Sequence, residues 1–188
     1  AYSVHYLPVD EQNTTSQEVF MMTRNIFVVL AISISIALTY DIGIAEKAPP
    51  DNAHALNNVN SAKTVFDVNV GKADKLLLYL TVIRKTHDTL VAEGLKPEFV
   101  IAFRGATVRL LTTETWSFEE EDQVSLNNAR TMLKEFNDAG IRLEVCSVAT
   151  GLHNVDNNTV LPELRLVGNT FVSLIGYQSK GYALVPIN

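Results

Sequence analysis

The chain has 188 residues, 47% hydrophobic and 19% charged, with a formal net charge of -6. That balance describes one globular domain with an appendage and excludes a disordered chain. The acidic charge, with no cluster of Lys and Arg, argues against a nucleic-acid partner, which would need a concentrated basic face.

Residues 1–45 read as a leader. Arg24 precedes an apolar stretch over residues 26–40, and Asp41 and Gly43-Ile44-Ala45 follow it. A basic residue, a short apolar run and a small-x-Ala site are the parts of a secretory signal peptide. A membrane anchor, the competing reading, needs about 20 predominantly apolar residues. Asp41 interrupts the run, and a carboxylate is costly in lipid. Both readings place the protein outside the cytoplasm, either periplasmic or anchored facing the periplasm. The stretch before Met21 is polar and acidic, so Met21 or Met22 would be the more natural start. Residues 46–62, rich in Pro, Asn and Ala without a period, read as a linker.

The folded domain is expected over residues 63–188. Thr64 to Val70 alternates apolar and polar residues with β-branched enrichment, which predicts a strand. Ala73 to Ala92 carries Leu76, Leu77, Leu80, Ile83, Leu90 and Val91 at helical spacing, with Gly94 as its stop. Phe99 to Phe103 is continuously apolar, as in a strand buried on both faces. Arg104-Gly105 turns the chain into a short helix over 106–112. A second long helix is expected between Phe118 and Gly140, with Val124, Leu126, Ala129, Leu133 and Phe136 facing inward. The run Glu119 to Asp122 loads its first turn with favourable negative charge. Strands follow at 141–145 and 164–167, then a helix over 171–179, then a strand at 182–185 stopped by Pro186. Alternating strands and helices predict a three-layer α/β sandwich with about five mostly parallel strands.

Cys146 is the only cysteine in the chain. It excludes an internal disulfide and stands where the third strand gives way to a short helical segment. The carboxyl edge of such a sheet is where these folds keep their ligand crevices. Free N–H groups of a following helix would stabilise a thiolate there. Against this, unpaired cysteines are often buried and behave as small hydrophobes. Ser147, Ala149 and Gly151 leave room beside the thiol. His153 is seven residues on, about two helical turns, so contact with the sulfur would need a bend. A solvated loop histidine is the plainer reading. Arg104 and Gly105 mark a second strand end that could face the same crevice, with the guanidinium favouring a sulfur anion. A surface arginine in a loop is the alternative. No hydrolase or oxidoreductase motif, metal-ligand spacing or dinucleotide fingerprint occurs, so neither a metal nor a cofactor is implied.

The segment Phe99-Val100-Ile101-Ala102-Phe103-Arg104-Gly105-Ala106, the Gly140-Ile141 entry to a strand ending in Cys146, and the terminal Lys180-Gly181-Tyr182-Ala183 resemble the DsrE/DsrF-like family. The resemblance runs from about Lys63 to the C-terminus. It implies a YchN-like α/β fold and a homo- or hetero-oligomer, often a trimer or hexamer. It also implies a sulfur relay in which a cysteine at the position of Cys146 accepts a persulfide sulfur, with sulfur donor and acceptor proteins as partners. The basic residues that often follow that cysteine are replaced by Leu152-His153-Asn154. The leader resembles the exported branch of the family. Two functions therefore stand side by side: an exported persulfide carrier acting through Cys146, and a non-catalytic oligomeric binding or assembly module in which Cys146 is structural.

Overall fold

The computed structural model describes residues 50–115 and 117–188. The signal peptide or anchor expected over residues 1–45, and the first residues of the linker, lie outside them. Within the linker a single helical turn, α1, spans Ala53–Leu56 with no buried residue. Among the described residues no helix is long and apolar enough to cross a membrane.

Strand β1 covers Ala62–Val68 and is buried from Val65 onward. It was expected to reach Val70, but the ladder stops sooner because later backbone groups have other partners. The Asn69 N–H donates to the Ile187 carbonyl at 2.8 Å, and the Val70 N–H to the Thr107 hydroxyl at 2.7 Å. Helix α2 is Ala73–Ala92, and the chain leaves it through Gly94, whose φ of 80° suits a residue without a Cβ. Strand β2 is Pro97–Phe103. The short helix expected next is a 3-10 helix over Gly105–Leu110.

Helix α3 covers Glu120–Asp138, with Glu120, Glu121 and Asp122 in its first turn. Strand β3 is Arg142–Cys146, followed at once by the six-residue helix α4, Ser147–Leu152. After a 3-10 turn at Asn157–Thr159 come β4, Arg165–Val167, and α5, Thr170–Ser179. Asn169 caps α5 by accepting from the Phe171 N–H at 2.9 Å. Strand β5 is Ala183–Ile187. Pro186 does not stop it, because among the described residues β5 is an edge strand hydrogen-bonded to β1 alone and can spare one N–H.

The sheet order is β4-β3-β2-β1-β5, and every pairing is parallel. Side-chain alternation sorts each strand between two layers. Phe66, Val68, Ile101, Phe103, Leu143 and Val145 join the main core beneath α2 and α3. Val65, Val100 and Ala102 face the other way and pack with Leu174 of α5 and with Tyr182. Leu76, Leu80 and Ile83 of α2 and Leu126, Ala129, Leu133 and Phe136 of α3 fill the first layer, as their spacing predicts. Two residues counted on that face do not reach it: Val91, the last but one residue of α2, and Val124 in the first turns of α3 are 51% and 60% exposed. Among the described residues the far layer holds α5 alone, and its outer side leaves Phe171, Val172 and Ile175 more than half exposed.

Candidate functional site

Strands β1, β2 and β3 and the turn after β4 bring Asp67, Arg104, Cys146 and Thr170 to the carboxyl edge of the sheet. The chain leaves β3 into α4, whose Ala149 belongs to the main core, and leaves β4 into α5 on the opposite face. Successive crossovers that part to opposite faces open a crevice at the strand ends. A cavity of about 190 Å³ lies there, lined by Arg104, Gly105, Cys146, Ala149, His153 and Thr170 among others.

Cys146 is 4% exposed, with the cavity on one side. Burial pushes its thiol up, but the N–H groups of Thr170, Ala149 and Val148 and the Thr170 hydroxyl outweigh it, and the net shift is downward. The Thr170 N–H donates to Sγ at 3.5 Å. Thr170 itself is 1% exposed, and its hydroxyl, near enough to Sγ to favour the thiolate, completes no hydrogen bond among the described residues. Ser147 does not line the cavity. Its hydroxyl donates to the Gly168 carbonyl at 2.9 Å, which ties the start of α4 to the turn that carries Thr170. Ser147 thus supports the site from behind.

Arg104 is placed by Asp67, to which it donates through Nε at 2.6 Å and Nη2 at 2.9 Å. Such a fork is the strong form of a charged hydrogen bond. The guanidinium lies 5.4 Å from the centre of the Phe171 ring. Asp67 raises the Arg104 pKa against the effect of burial, and the Cys146 thiolate adds to the rise. Gly105 has a φ of 53°, and a Cβ there would stand 2.1 Å from Asn69 Oδ1. The close approach that this glycine permits is to Asn69. His153 caps the far end of α4 and lines the cavity there. No hydrogen bond joins it to Sγ among the described residues. It also borders a more polar cleft of about 360 Å³ with Arg109, Glu114 and Asp156.

Asp67 and Thr170 escaped the sequence reading. Asp67 resembles the polar half of an alternating strand. The clue to its role is that Arg104 ends the neighbouring strand, where a buried carboxylate would find its partner. Thr170 follows a strand of three residues, too short to mark its end as one more edge of a site. Together these groups form a pocket that stabilises negative charge on sulfur and shields it from bulk water.

The DsrE/DsrF-like family model matches residues 44–187, and the chain belongs to the DsrE/DsrF-like family. An uncharacterized protein of Aquifex aeolicus strain VF5 is 29% identical over 125 residues, which are 66% of this chain and 55% of that protein. The chain thus spans about half the length of the curated relative it matches. Among solved structures it is similar to MTH1491, a protein of unknown function from Methanobacterium thermoautotrophicum, with 17% identity and a TM-score of 0.52 over 66% of this chain and 98% of the other. It is also similar to the ychN protein from E. coli, with 12% identity and a TM-score of 0.50 over 67% and 99%. At these identities the likeness establishes a common fold, the YchN-like α/β sheet.

Proposed function

We propose that this member of the DsrE/DsrF-like family is a sulfur carrier in which Cys146 accepts a sulfane sulfur and passes it on. The observation that carries the reading is the surrounding of Sγ: an occluded thiol with lowered pKa, facing a cavity that also holds an anchored guanidinium. Loading is an exchange between thiolate and persulfide: Cys146–S⁻ + H–S–S–R → Cys146–S–S–H + R–S⁻. The new S–S bond forms as the donor's S–S bond breaks, and the leaving thiolate takes the electron pair.

The test is mass spectrometry after incubation with glutathione persulfide, comparing the native chain with Cys146→Ser. A gain of about 32 Da on the native chain alone, discharged by a thiol acceptor, is the expected result. Equal behaviour of the two chains would refute the carrier.

The low exposure of Cys146 favours a second reading, in which the cysteine is inert and the protein is a binding or assembly module. Iodoacetamide separates the two. Alkylation of the folded chain at neutral pH favours the carrier, and protection until denaturation favours the module.

Both readings include self-association, with a trimer or hexamer as our proposal. Its support is the exposed apolar face of α5 (Phe171, Val172 and Ile175), on the same side of the sheet as the half-exposed Leu184 of β5. Export remains part of the proposal, supported by the apolar stretch over residues 26–40 and the small-x-Ala pattern after it.

A further inference from the structure

Every polar contact made at Cys146 Sγ comes from a donor. The N–H groups of Thr170, Ala149 and Val148 and the Thr170 hydroxyl all favour charge on the sulfur. Arg104 spends Nε and Nη2 on Asp67, and its Nη1 makes no hydrogen bond among the described residues. The Asn169 side-chain oxygen is occupied by the Phe171 N–H. Between these donors the walls are apolar, formed by Val148, Ala149, Leu152 and Phe171. The Thr170 hydroxyl is buried beside Sγ and completes no hydrogen bond among the described residues, a cost that folding alone does not explain. Its position in a cavity beside a thiolate gives it a use.

We propose that the cavity is the seat of a terminal sulfur anion, the outer sulfur of a Cys146 persulfide, held by the Thr170 hydroxyl and the Nη1 edge of Arg104, with Asp67 fixing the guanidinium. The inference rests on the carrier reading and names the groups that touch the carried atom. After loading, the proton of Cys146–S–S–H passes to solvent and the charge settles on the outer sulfur. Apolar walls select against strongly hydrated anions, because stripping water from an oxyanion is expensive. A polarisable sulfur anion needs only the few donors present. Asp67 balances the charge of Arg104 while the cavity is empty.

The experiment loads the full chain with glutathione persulfide and follows the adduct by mass against a fixed concentration of dithiothreitol. The native chain is compared with Thr170→Val, Thr170→Ser and Arg104→Met. Thr170→Val and Arg104→Met should each shorten the life of the adduct about tenfold, the scale of losing one hydrogen bond to a charged group. Thr170→Ser, which keeps the hydroxyl, should restore retention to within about threefold. Thr170→Val removes a hydroxyl whose polar neighbour is Sγ and which completes no hydrogen bond among the described residues, so its thermal midpoint at neutral pH should stay close to the native one. Should Arg104→Met fold poorly, Asp67→Asn/Arg104→Met removes both charges together and takes its place. Native and variant chains that load alike and hold sulfur equally long would overturn the seat while leaving the carrier intact. A native chain that takes up no sulfur would overturn both.

Discussion

Asp67→Asn keeps the shape of the side chain and removes its charge, so it isolates what the carboxylate does for Arg104. The pair is bidentate at 2.6 and 2.9 Å, and the side chains of Arg104 and Asp67 are 22% and 10% exposed. It therefore lies between a solvated surface pair, worth about 0–1 kcal/mol, and a buried pair, whose breakage costs about 3–5 kcal/mol. The asparagine still accepts one hydrogen bond from the guanidinium, and Phe171 still lies 5.4 Å from it. These contacts place the expected loss near the middle, at about 2 kcal/mol. For a domain of this size that is a fall in melting temperature of about 6–10 °C. Urea unfolding gives the free energy. A double-mutant cycle with Arg104→Met separates the pair from the general cost of touching β1. The expected coupling exceeds about 1 kcal/mol. A coupling below about 0.5 kcal/mol would show that Asp67 does not hold Arg104, and the account of the cavity would lose its anchor.

Three further outcomes are expected. The Cys146 thiol is lowered in the folded chain, so its contribution to stability is full above the ordinary thiol value near about 8.5 and is lost as pH falls through the folded value. Unfolding curves of the native chain and Cys146→Ser should therefore diverge as pH rises towards 9, and a constant offset between them would contradict the shift. Tyr177 donates to Glu144 Oε1 at 2.7 Å, and burial together with this bond pushes its pKa up to about 12. Its stabilising effect should hold below pH 10 and fade as pH passes about 12. The phenolate absorbance of Tyr177→Phe should differ from native only at that late step, and the variant should lose about 1–3 kcal/mol because Glu144 is left buried without a donor. Ile175→Glu places a carboxylate on the exposed apolar face of α5 and should reduce the mass seen by light scattering to that of one chain. An unchanged mass would move the interface elsewhere.

Most of the fold was legible because the apolar periods are long. Ala73–Ala92 and Glu120–Asp138 each show several turns of helical spacing, and Phe99–Phe103 is apolar on both faces as a central parallel strand must be. Val91 and Val124 fit the same periods and stay in solvent, since spacing cannot tell how far along a helix the sheet extends. Pro186 misled for a related reason: whether a proline ends a strand depends on whether that strand has one neighbour or two.

The candidate site was legible only where local signals exist. Cys146 and Arg104 end recognisable strands, and Gly105 marks a turn. Asp67 and Thr170 become visible only through the sheet order and the side taken by each crossover. Parallel pairing sets Asp67 beside Ala102, two residues before Arg104. The departure of α5 to the face opposite α4 then swings the Thr170 N–H back onto the Cys146 sulfur. A thiol at a strand end is common in such folds, and its small neighbours say little about reactivity. What distinguishes this one is that three other strand ends each supply a polar group to the same edge. Two of them, Asp67 and Arg104, satisfy each other, and the third, the Thr170 hydroxyl, faces the sulfur without completing a hydrogen bond among the described residues. That imbalance would be removed by a valine in a purely structural core, so the threonine itself argues for chemistry at the sulfur.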